Sequence, residues 1–182
     1  MMKSAKPLEF REPRVADRVE PLCRGVGPFR PNAAALIVRR IDGRIETLMG
    51  ERLGMPGVLH WPQGGIEEGE TPEEALQREV AEEIGVAGVD LLYRFPFGLR
   101  YRFPESMGEK FYPRVGQEQT YFIVTLRDGD PPCLERVAEP EFRYVAWLPL
   151  SDAAEAAVWF KRPLYETVID HALSVLPDLL SR

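Results

Sequence analysis

The chain has 182 residues and a formal net charge of -6 at pH 7, and 45% of its residues are hydrophobic. A chain of this length supports one sizeable core without requiring a second domain, and its acidic balance argues against a broad contact with a DNA duplex. No apolar run reaches the roughly 18 residues that a membrane span needs, and the N-terminus lacks the apolar core of a signal peptide. We therefore expect a cytoplasmic protein without a membrane partner.

Residues 1–28 are polar and interrupted by proline, without the periodicity of a helix or a strand. They are expected to form an N-terminal arm that is partly disordered or strapped onto the rest of the protein. Regular structure is expected to begin near Asn32, within a single domain that covers residues 29–182.

The first predicted strands form a hairpin. An apolar run at 33–38 is typical of a buried strand, and residues 45–49 provide its partner. Asp42-Gly43 lies between them, and this dipeptide favours a tight hairpin turn because both residues tolerate a positive φ. A loop at 55–57 then leads to a short strand at 58–61.

A helix is predicted to begin at Pro72. Thr71, followed by Glu74 three residues later, has the pattern of a capping box, in which each side chain accepts a hydrogen bond from the backbone of the other residue. Proline suits the first helical position because its missing N–H has no partner there. Gly85 is expected to end this helix.

The second half of the chain is predicted to add more strands and two closing helices. Strands at 89–103 and 118–127 flank a charged, irregular segment, and a last strand follows at 142–147. A short helix at 151–157 and a longer helix at 163–180 complete the order. This order favours an α/β fold in which helices cover one mixed sheet.

The predicted helix belongs to a segment, Gly64 to Val86, that contains eight glutamates in 23 residues. The apolar positions of the helix share one stripe that should face the core: Leu76, Val80 and Ile84. Three glutamates share an adjoining arc of about 100°: Glu79, Glu82 and Glu83.

Three carboxylates on one arc repel one another unless a cation joins them. Oxygen ligands of this kind suit a hard dication such as Mg²⁺ or Mn²⁺. The turn Gly64-Gly65 allows close approach of the backbone and could offer a carbonyl to the same metal. A solvated acidic helix without a metal is the alternative that the spacing leaves open.

The fixed residues of this segment resemble the Nudix box of the Nudix hydrolase superfamily. In that pattern a glycine, a glutamate, an Arg-Glu pair, a Glu-Glu pair and a second glycine follow one another at set intervals. The matching positions are Gly64, Glu70, Arg78, Glu79, Val80, Glu82, Glu83, Gly85 and Val86. The resemblance implies the Nudix fold, a mixed β-sheet sandwiched between α-helices.

Stretches outside the box resemble those of bacterial RNA pyrophosphohydrolases and dinucleoside polyphosphate hydrolases. They are Phe29 to Asn32, Trp61 to Gly65, Gly116 to Gln119, Glu139 to Phe142 with Trp147, and Phe160 to Arg162. The basic segments typical of RNA-processing members are diluted here by Glu105 and Glu109. The choice between an RNA 5′ end and a dinucleoside polyphosphate as substrate therefore stays open.

The resemblance also implies roles for individual residues. It assigns metal ligation to the backbone carbonyl of Gly64 and to the carboxylates of Glu79, Glu82, Glu83 and Glu141. The implied cofactor is Mg²⁺ or Mn²⁺, and the implied reaction is the attack of water on a polyphosphate with Glu79 or Glu141 as the general base. Three further residues of the box are implied to be structural: Glu70 and Arg78 as a pair, and Gly85.

Four residues match substrate-binding positions of the family: Arg30, Arg52, Phe160 and Lys161. The cationic side chains would contact phosphate or base, and the phenylalanine would stack on a base. Solvated surface arginines and an aromatic packed in the core are the alternatives. The remaining aromatic and imidazole side chains are expected to be structural or on the surface: Trp61, Tyr121 and Phe122 in the core, with His60 and His171.

Three functions are compatible with the sequence. The first is metal-dependent hydrolysis of dinucleoside polyphosphates, of 5′-triphosphorylated RNA ends, or of both. The second is hydrolysis of another nucleoside diphosphate derivative, such as a nucleotide sugar or an oxidised nucleotide. The third is a degenerate Nudix domain kept as a ligand-binding module, and the complete set of motif glutamates counts against it.

Overall fold

The computed structural model describes residues 9–11, 29–104 and 113–180. Its strands are β1 Glu9–Arg11, β2 Phe29–Ile41, β3 Arg44–Arg52, β4 Leu59–His60, β5 Gln63–Gly65, β6 Val89–Arg102, β7 Gly116–Leu126 and β8 Phe142–Pro149. Its α-helices are α1 Pro72–Ile84, α2 Ala153–Ala156 and α3 Arg162–Leu179. Single 3₁₀ turns lie at Leu134–Arg136 and Leu150–Asp152. None of the described helices combines the length and hydropathy that a membrane crossing requires.

Strand β2 lies at the centre of the sheet because it pairs with three other strands. Most of it runs parallel to β7, from Phe29 opposite Gly116 to Ile37 opposite Val124. Its last residues pair with β3 across the predicted hairpin turn, and β5 pairs with residues 32–34. The strand order is β1-β6-β7-β2-β3-β4, with β5 beside β2 and β8 beside β3. The sheet is mixed, as predicted.

Each face of the sheet has its own buried core, since alternate residues of a strand point to opposite faces. On one face α1 packs against β2, through Leu76, Val80 and Ile84 of the helix and Ala33, Ala35 and Ile37 of the strand. On the other face α2 and α3 pack against the alternate residues Ala34, Leu36 and Val38. The predicted α/β fold, a mixed sheet between helices, is confirmed.

Helix α1 has the caps that its sequence predicts. The hydroxyl of Thr71 accepts from the N–H of Glu74 at 3.2 Å, and the Glu74 carboxylate accepts from the N–H of Thr71 at 2.8 Å. At the other end Gly85 has a φ of 69° and donates its N–H to the carbonyl of Ala81. These caps determine where α1 begins and ends, and its packing through Leu76, Val80 and Ile84 sets which way its glutamates face.

Regular structure begins earlier than predicted. Strand β2 starts at Phe29 rather than near Asn32, because its first residues pair with β7, which is distant in sequence. Within the predicted arm, Glu9–Arg11 pairs antiparallel with β6. The rest of residues 1–28 lies outside the described part of the chain, and so do Glu105 and Glu109.

We expect Gly85→Ala to destabilise the fold. An added Cβ would meet the carbonyl oxygen of Cys133, and a left-handed conformation costs a residue other than glycine about 1–2 kcal/mol. Gly129→Ala is the matched control, since this glycine has a similar φ of 77° and nothing within 4 Å of an added Cβ. Thermal denaturation should give a lower Tm for Gly85→Ala than for Gly129→Ala. Equal values would show that the contact with Cys133 has no cost.

Candidate active site

The three glutamates predicted on one arc of α1 differ in their exposure to solvent. Glu83 is only 5% exposed, because its position on the helix faces the sheet. The side chain of Glu79 is 13% exposed, and that of Glu82 is 58% exposed. Two of these three glutamates therefore lie where water solvates them poorly.

Strand β5 forms the wall opposite these carboxylates. The backbone N–H of Gln63 donates to Oε2 of Glu83 at 2.8 Å. Gly64 lies so close to Glu79 that a side chain at position 64 would overlap the carboxylate. A larger residue here would have to displace the Glu79 carboxylate, so glycine at position 64 permits the close approach. The glycine that opens the Nudix box thus makes room for the glutamate of the Arg-Glu pair.

Arg78 binds several groups at once. Its Nε donates to Oε1 of Glu70 at 2.8 Å, and its Nη2 donates to the carbonyl of Gly65 at 2.8 Å. Its Nη1 donates to Glu79 at 2.7 Å and to Glu82 at 3.0 Å. The pair implied between Glu70 and Arg78 is present, and it ties the loop before α1 to the helix. Arg78 also partly neutralises two glutamates predicted as metal ligands.

Burial opposes the ionisation of the two inner carboxylates. Desolvation raises the pKa of Glu79, although hydrogen bonds from Arg78 oppose the rise. Desolvation also raises the pKa of Glu83 well above its usual range; the N–H of Gln63 opposes this shift and the charge of Glu141 adds to it. A cation bound beside Glu79 and Glu83 would relieve both costs.

Glu141 reaches the same site from the residue before β8. Its backbone carbonyl accepts from the N–H of Leu53 at 2.8 Å, and its carboxylate lies 2.9 Å from a guanidinium nitrogen of Arg52. This carboxylate is half exposed, at 50%. Its charge contributes to the raised pKa of Glu83. The structure thus brings Glu141 and Arg52 into the neighbourhood of the α1 glutamates.

Lys161 is nearly buried, at 3% exposure. Its Nζ donates to Oε1 of Gln63 at 3.1 Å and lies 5.1 Å from the centre of the Tyr101 ring. Burial and the charge of Arg52 lower the pKa of Lys161 to about 7, and the charge of Glu83 opposes this shift. Lys161 therefore belongs to the site, with much of its ammonium group out of bulk water.

Arg30 and Phe160 lie at the edges of the site. The guanidinium of Arg30 lies against Gly65, where an added side chain would overlap it, and its charge favours the ionised form of Glu79. The half-buried ring of Phe160 packs at the margin of the core, 5.8 Å from Tyr101 and 5.5 Å from Trp159 between ring centres. Three of the four predicted substrate-binding residues, Arg30, Arg52 and Lys161, therefore lie beside the carboxylates or the strand that carries Gly64, whereas the contacts of Phe160 are with aromatic rings.

Trp61, Tyr121 and Phe122 are buried in the core, as expected. His171 packs between Phe95 and Phe97 and shares a hydrogen bond of 3.1 Å with Tyr93.

His60 is 4% exposed. Neither of its ring nitrogens has a hydrogen-bond partner among the described residues. Burial and the charges of Lys161 and Arg52 lower its pKa to about 3, so this imidazole is neutral. Both histidines pack inside the domain.

In the described part of the chain, no three acidic, histidine or cysteine side chains converge closely enough to hold a metal ion. Three of the four predicted carboxylate ligands instead form ion pairs, Glu79 and Glu82 with Arg78 and Glu141 with Arg52. The donor chemistry nevertheless fits a hard dication. Glu79 and Glu83 offer oxygen ligands whose burial disfavours an uncompensated charge, and Gly64 leaves the space for close approach.

Three amide side chains next to this site were not singled out by the sequence. Gln119 donates to Gln63 at 2.7 Å and to Asn32 at 2.9 Å. Their positions are far apart in sequence and meet only because β2 pairs with both β5 and β7. The one sequence feature that could have identified these amides is that each lies in a stretch that resembles the RNA pyrophosphohydrolases and dinucleoside polyphosphate hydrolases.

The Nudix domain model matches residues 28–168 of the chain. The chain belongs to the Nudix family. The RNA pyrophosphohydrolase of Helicobacter pylori strain P12 is 42% identical over 142 residues, which cover 78% of this chain and 91% of that protein. The RNA pyrophosphohydrolase of Sulfurovum sp. strain NBC37-1 is 39% identical over 144 residues, which cover 79% of this chain and 92% of that protein.

Solved structures resemble this Nudix domain in fold. A binary complex of a C. elegans Ap4A hydrolase has a TM-score of 0.58 and 20% identity, and the match covers 80% of this chain and 98% of that one. The E. coli dihydroneopterin triphosphate pyrophosphohydrolase has a TM-score of 0.56 and 18% identity, with coverage of 79% and 99%. At these identities the likeness concerns the Nudix fold alone.

The raised pKa of Glu83 predicts how charge removal affects the stability of the metal-free Nudix domain. The folded state holds this proton more tightly than the unfolded chain, in which the carboxyl has its ordinary pKa of 4.5. Stability therefore falls as pH rises above 4.5 through the higher folded pKa. Glu83→Gln removes the charge and keeps the shape, so it should raise Tm at mildly alkaline pH by about 2–4 °C.

Two comparisons isolate this effect. In acid, where the carboxyl is protonated in both states, the Tm difference between Glu83→Gln and the wild type should disappear. Glu82→Gln removes a charge that is 58% exposed and should change Tm little at either pH. A Tm for Glu83→Gln at or below that of the wild type in alkali, without metal, would contradict the inferred cost of this buried charge.

Proposed function

We propose that this Nudix domain is a divalent-metal-dependent pyrophosphohydrolase that cleaves 5′-triphosphorylated RNA ends, dinucleoside polyphosphates, or both. The observation that carries the proposal is that two poorly solvated carboxylates, the buried Glu83 and the partly buried Glu79, lie beside the cations Arg30, Arg52 and Lys161. Carboxylates alone would suit a metal, and cations alone would suit a phosphate. A site that contains both suits a polyphosphate held through a metal ion.

The comparisons support this proposal at two levels. Family membership and the relatives' names support a hydrolase that acts on pyrophosphate bonds. The relatives at 42% and 39% identity are RNA pyrophosphohydrolases, and they match more than three quarters of this chain. The likeness to the Ap4A hydrolase supports the fold of this chain and does not bear on its substrate.

The residues that would hold the metal are Glu79, Glu82, Glu83, Glu141 and the carbonyl of Gly64. A divalent ion bound there supplies positive charge that stabilises phosphoryl oxygens and makes a nearby water more acidic. For Glu79 and Glu82 to turn towards it, both must exchange their bonds to Nη1 of Arg78. The remaining nitrogens of Arg78 still hold Glu70 and Gly65, so the loop stays in place.

Glu79 and Glu141 are the candidates for the general base. The raised pKa of Glu79 makes its carboxylate a stronger proton acceptor near neutral pH than an ordinary glutamate. Glu141 is half exposed, so a proton that it accepts can leave to solvent. In either case the carboxylate would take a proton from the attacking water while the water oxygen bonds to phosphorus, and the P–O bond to the departing phosphate of the polyphosphate would break.

The cations would orient the substrate rather than react with it. Arg30, Arg52 and Lys161 would neutralise phosphate oxygens that carry charge in the ground state and in the transition state. Phe160 has a partly exposed ring at the margin of the core, and stacking on an aromatic ring is worth roughly 1–3 kcal/mol per base. The arrangement suits one base and a short polyphosphate.

Glu82→Gln should abolish most of the activity without unfolding the protein. The change removes one oxygen ligand of the proposed metal site and keeps the volume, and such losses cost about two to four orders of magnitude in rate. Initial rates at saturating Mg²⁺ measure the effect. Glu68→Gln, an exposed glutamate of the same segment, is the matched control and should retain wild-type turnover. More than a tenth of wild-type turnover in Glu82→Gln would remove this residue from the ligand set.

The length of the RNA should matter little. A chain with a net charge of -6 and three cations at its site has few contacts for a long phosphate backbone, and affinity built on few such contacts loses little with added salt. Triphosphorylated RNAs of two and twenty nucleotides should therefore react at similar rates at low and high salt. A strong preference for the longer RNA that collapses in salt would reveal an extended RNA-binding surface. Nucleotide sugars are assayed beside these RNAs. Faster turnover of a nucleotide sugar than of either RNA would contradict the proposed substrate class.

A further inference from the structure

A chain of buried hydrogen bonds leads from β7 to Lys161. The hydroxyl of Tyr121 donates to Oε1 of Gln119 at 2.7 Å, and Nε2 of Gln119 donates to Oε1 of Gln63 at 2.7 Å. Nζ of Lys161 donates to the same Gln63 oxygen at 3.1 Å. Gln119 also donates to Oδ1 of Asn32 at 2.9 Å. We refer to Tyr121, Gln119, Gln63 and Asn32 as the amide network.

The amide network lies in the interior. Gln119 is fully buried, and Asn32 and Tyr121 are each 1% exposed. Polar groups in such a position are costly when any partner is missing, at about 1–3 kcal/mol for each unsatisfied group. One such atom is present, since Nδ2 of Asn32 has no partner among the described residues. An apolar core would avoid this cost, so stability alone does not account for the network.

Lys161 determines the direction of every bond in the network. An ammonium group only donates hydrogen bonds, so Gln63 must present its carbonyl oxygen to Lys161. Gln119 must then present its NH₂ group to that oxygen, and its own carbonyl oxygen faces the Tyr121 hydroxyl. Since the Gln119 NH₂ group also faces Asn32, the oxygen of Asn32 accepts and its NH₂ group points away. Charge at one end of the network therefore sets its polarity throughout.

Lys161 needs such a partner. A lysine side chain has about 2 kcal/mol of rotamer entropy to lose, and burial with the nearby charge of Arg52 lowers the pKa of this ammonium group to about 7. The groups that favour its charged form are the Gln63 oxygen, the charge of Glu83 and the face of the Tyr101 ring. Only the Gln63 oxygen fixes the direction of one N–H bond of the Lys161 ammonium group. The other two N–H bonds are then left for a ligand.

We propose that the amide network positions Lys161 for the polyphosphate, with Gln63 as the contact and Gln119 as its buried anchor. Gln63 also links the two halves of the site, because its backbone N–H holds the Glu83 carboxylate at 2.8 Å while its side chain holds Lys161. The network thereby sets the separation between the phosphate-binding cation and a carboxylate of the proposed metal site. This inference rests on the proposed function, in which Lys161 contacts phosphate.

The test is a set of single and double variants assayed on one substrate, the triphosphorylated dinucleotide. Lys161→Met should raise KM about tenfold with little change in kcat, the pattern of a contact made equally in the ground state and the transition state. Gln119→Leu and Gln63→Leu should each raise KM in the same way by about three- to tenfold. Gln63 is partly exposed, so Gln63→Leu keeps the test valid if Gln119→Leu does not fold.

The double variants separate positioning from a merely structural role. In the Lys161→Met background, adding Gln63→Leu or Gln119→Leu should change KM by less than about twofold, because residues that act through one group are not additive. Gln77→Leu is the matched control. Gln77 exchanges two hydrogen bonds of 2.9 Å with the backbone of Val89, so its loss should lower Tm and leave KM unchanged.

The outcomes distinguish this inference from the proposed function. Effects of Gln63→Leu and Gln119→Leu that multiply with that of Lys161→Met, or that appear in Tm and not in KM, would overturn the positioning role and leave the hydrolase intact. An unchanged KM for Lys161→Met would remove Lys161 from substrate binding, and the inference would fall with that contact. Absence of hydrolysis by the wild type with Mg²⁺ would overturn the proposed function itself.

Discussion

The packing of α1 against the sheet places the carboxylate of Glu83 where water cannot solvate it. The groups around this carboxylate partly offset the cost of its desolvation. The N–H of Gln63 donates to it, the charge of Arg52 opposes its protonation, and Lys161 lies near enough for the two charges to interact. A carboxylate and an ammonium that are both costly in isolation are kept beside each other. A ligand that carries charges of both signs, such as the proposed polyphosphate with its metal ion, would compensate both groups.

Arginines form ion pairs with three of the carboxylates that are proposed to bind a metal ion. Arg78 bonds to Glu79 and Glu82 while it ties Glu70 and Gly65 together. Its role is both structural and electrostatic, because the same guanidinium holds the loop and limits repulsion between glutamates on one helical arc. If a metal ion replaced Nη1 of Arg78 beside these glutamates, the hydrogen bonds of Arg78 to Glu70 and Gly65 would remain in place.

Strand β2 connects the segments that form the candidate site. It pairs with β5 and with β7, so it brings together residues near positions 32, 63 and 119. Its alternate residues belong to the two cores. Glu83 of α1 contacts the backbone N–H of Gln63, and Lys161, the residue before α3, contacts the Gln63 side chain. A buried polar network at this junction costs stability, and its place beside Lys161 provides a functional reason to keep it.

The sequence by itself determined the parts of the protein that depend on local chemistry. The caps of α1, the hairpin at Asp42-Gly43 and the spacing of Glu79, Glu82 and Glu83 follow from side-chain and backbone preferences within a few residues, and the structure agrees with each of them. Only the tertiary structure decided which of these glutamates is buried, that Arg78 binds Glu79 and Glu82, and that Gln119 and Lys161 meet at the side chain of Gln63. Strand pairing sets those contacts, since burial and charge arise between segments that are distant in sequence and have no local pattern of their own.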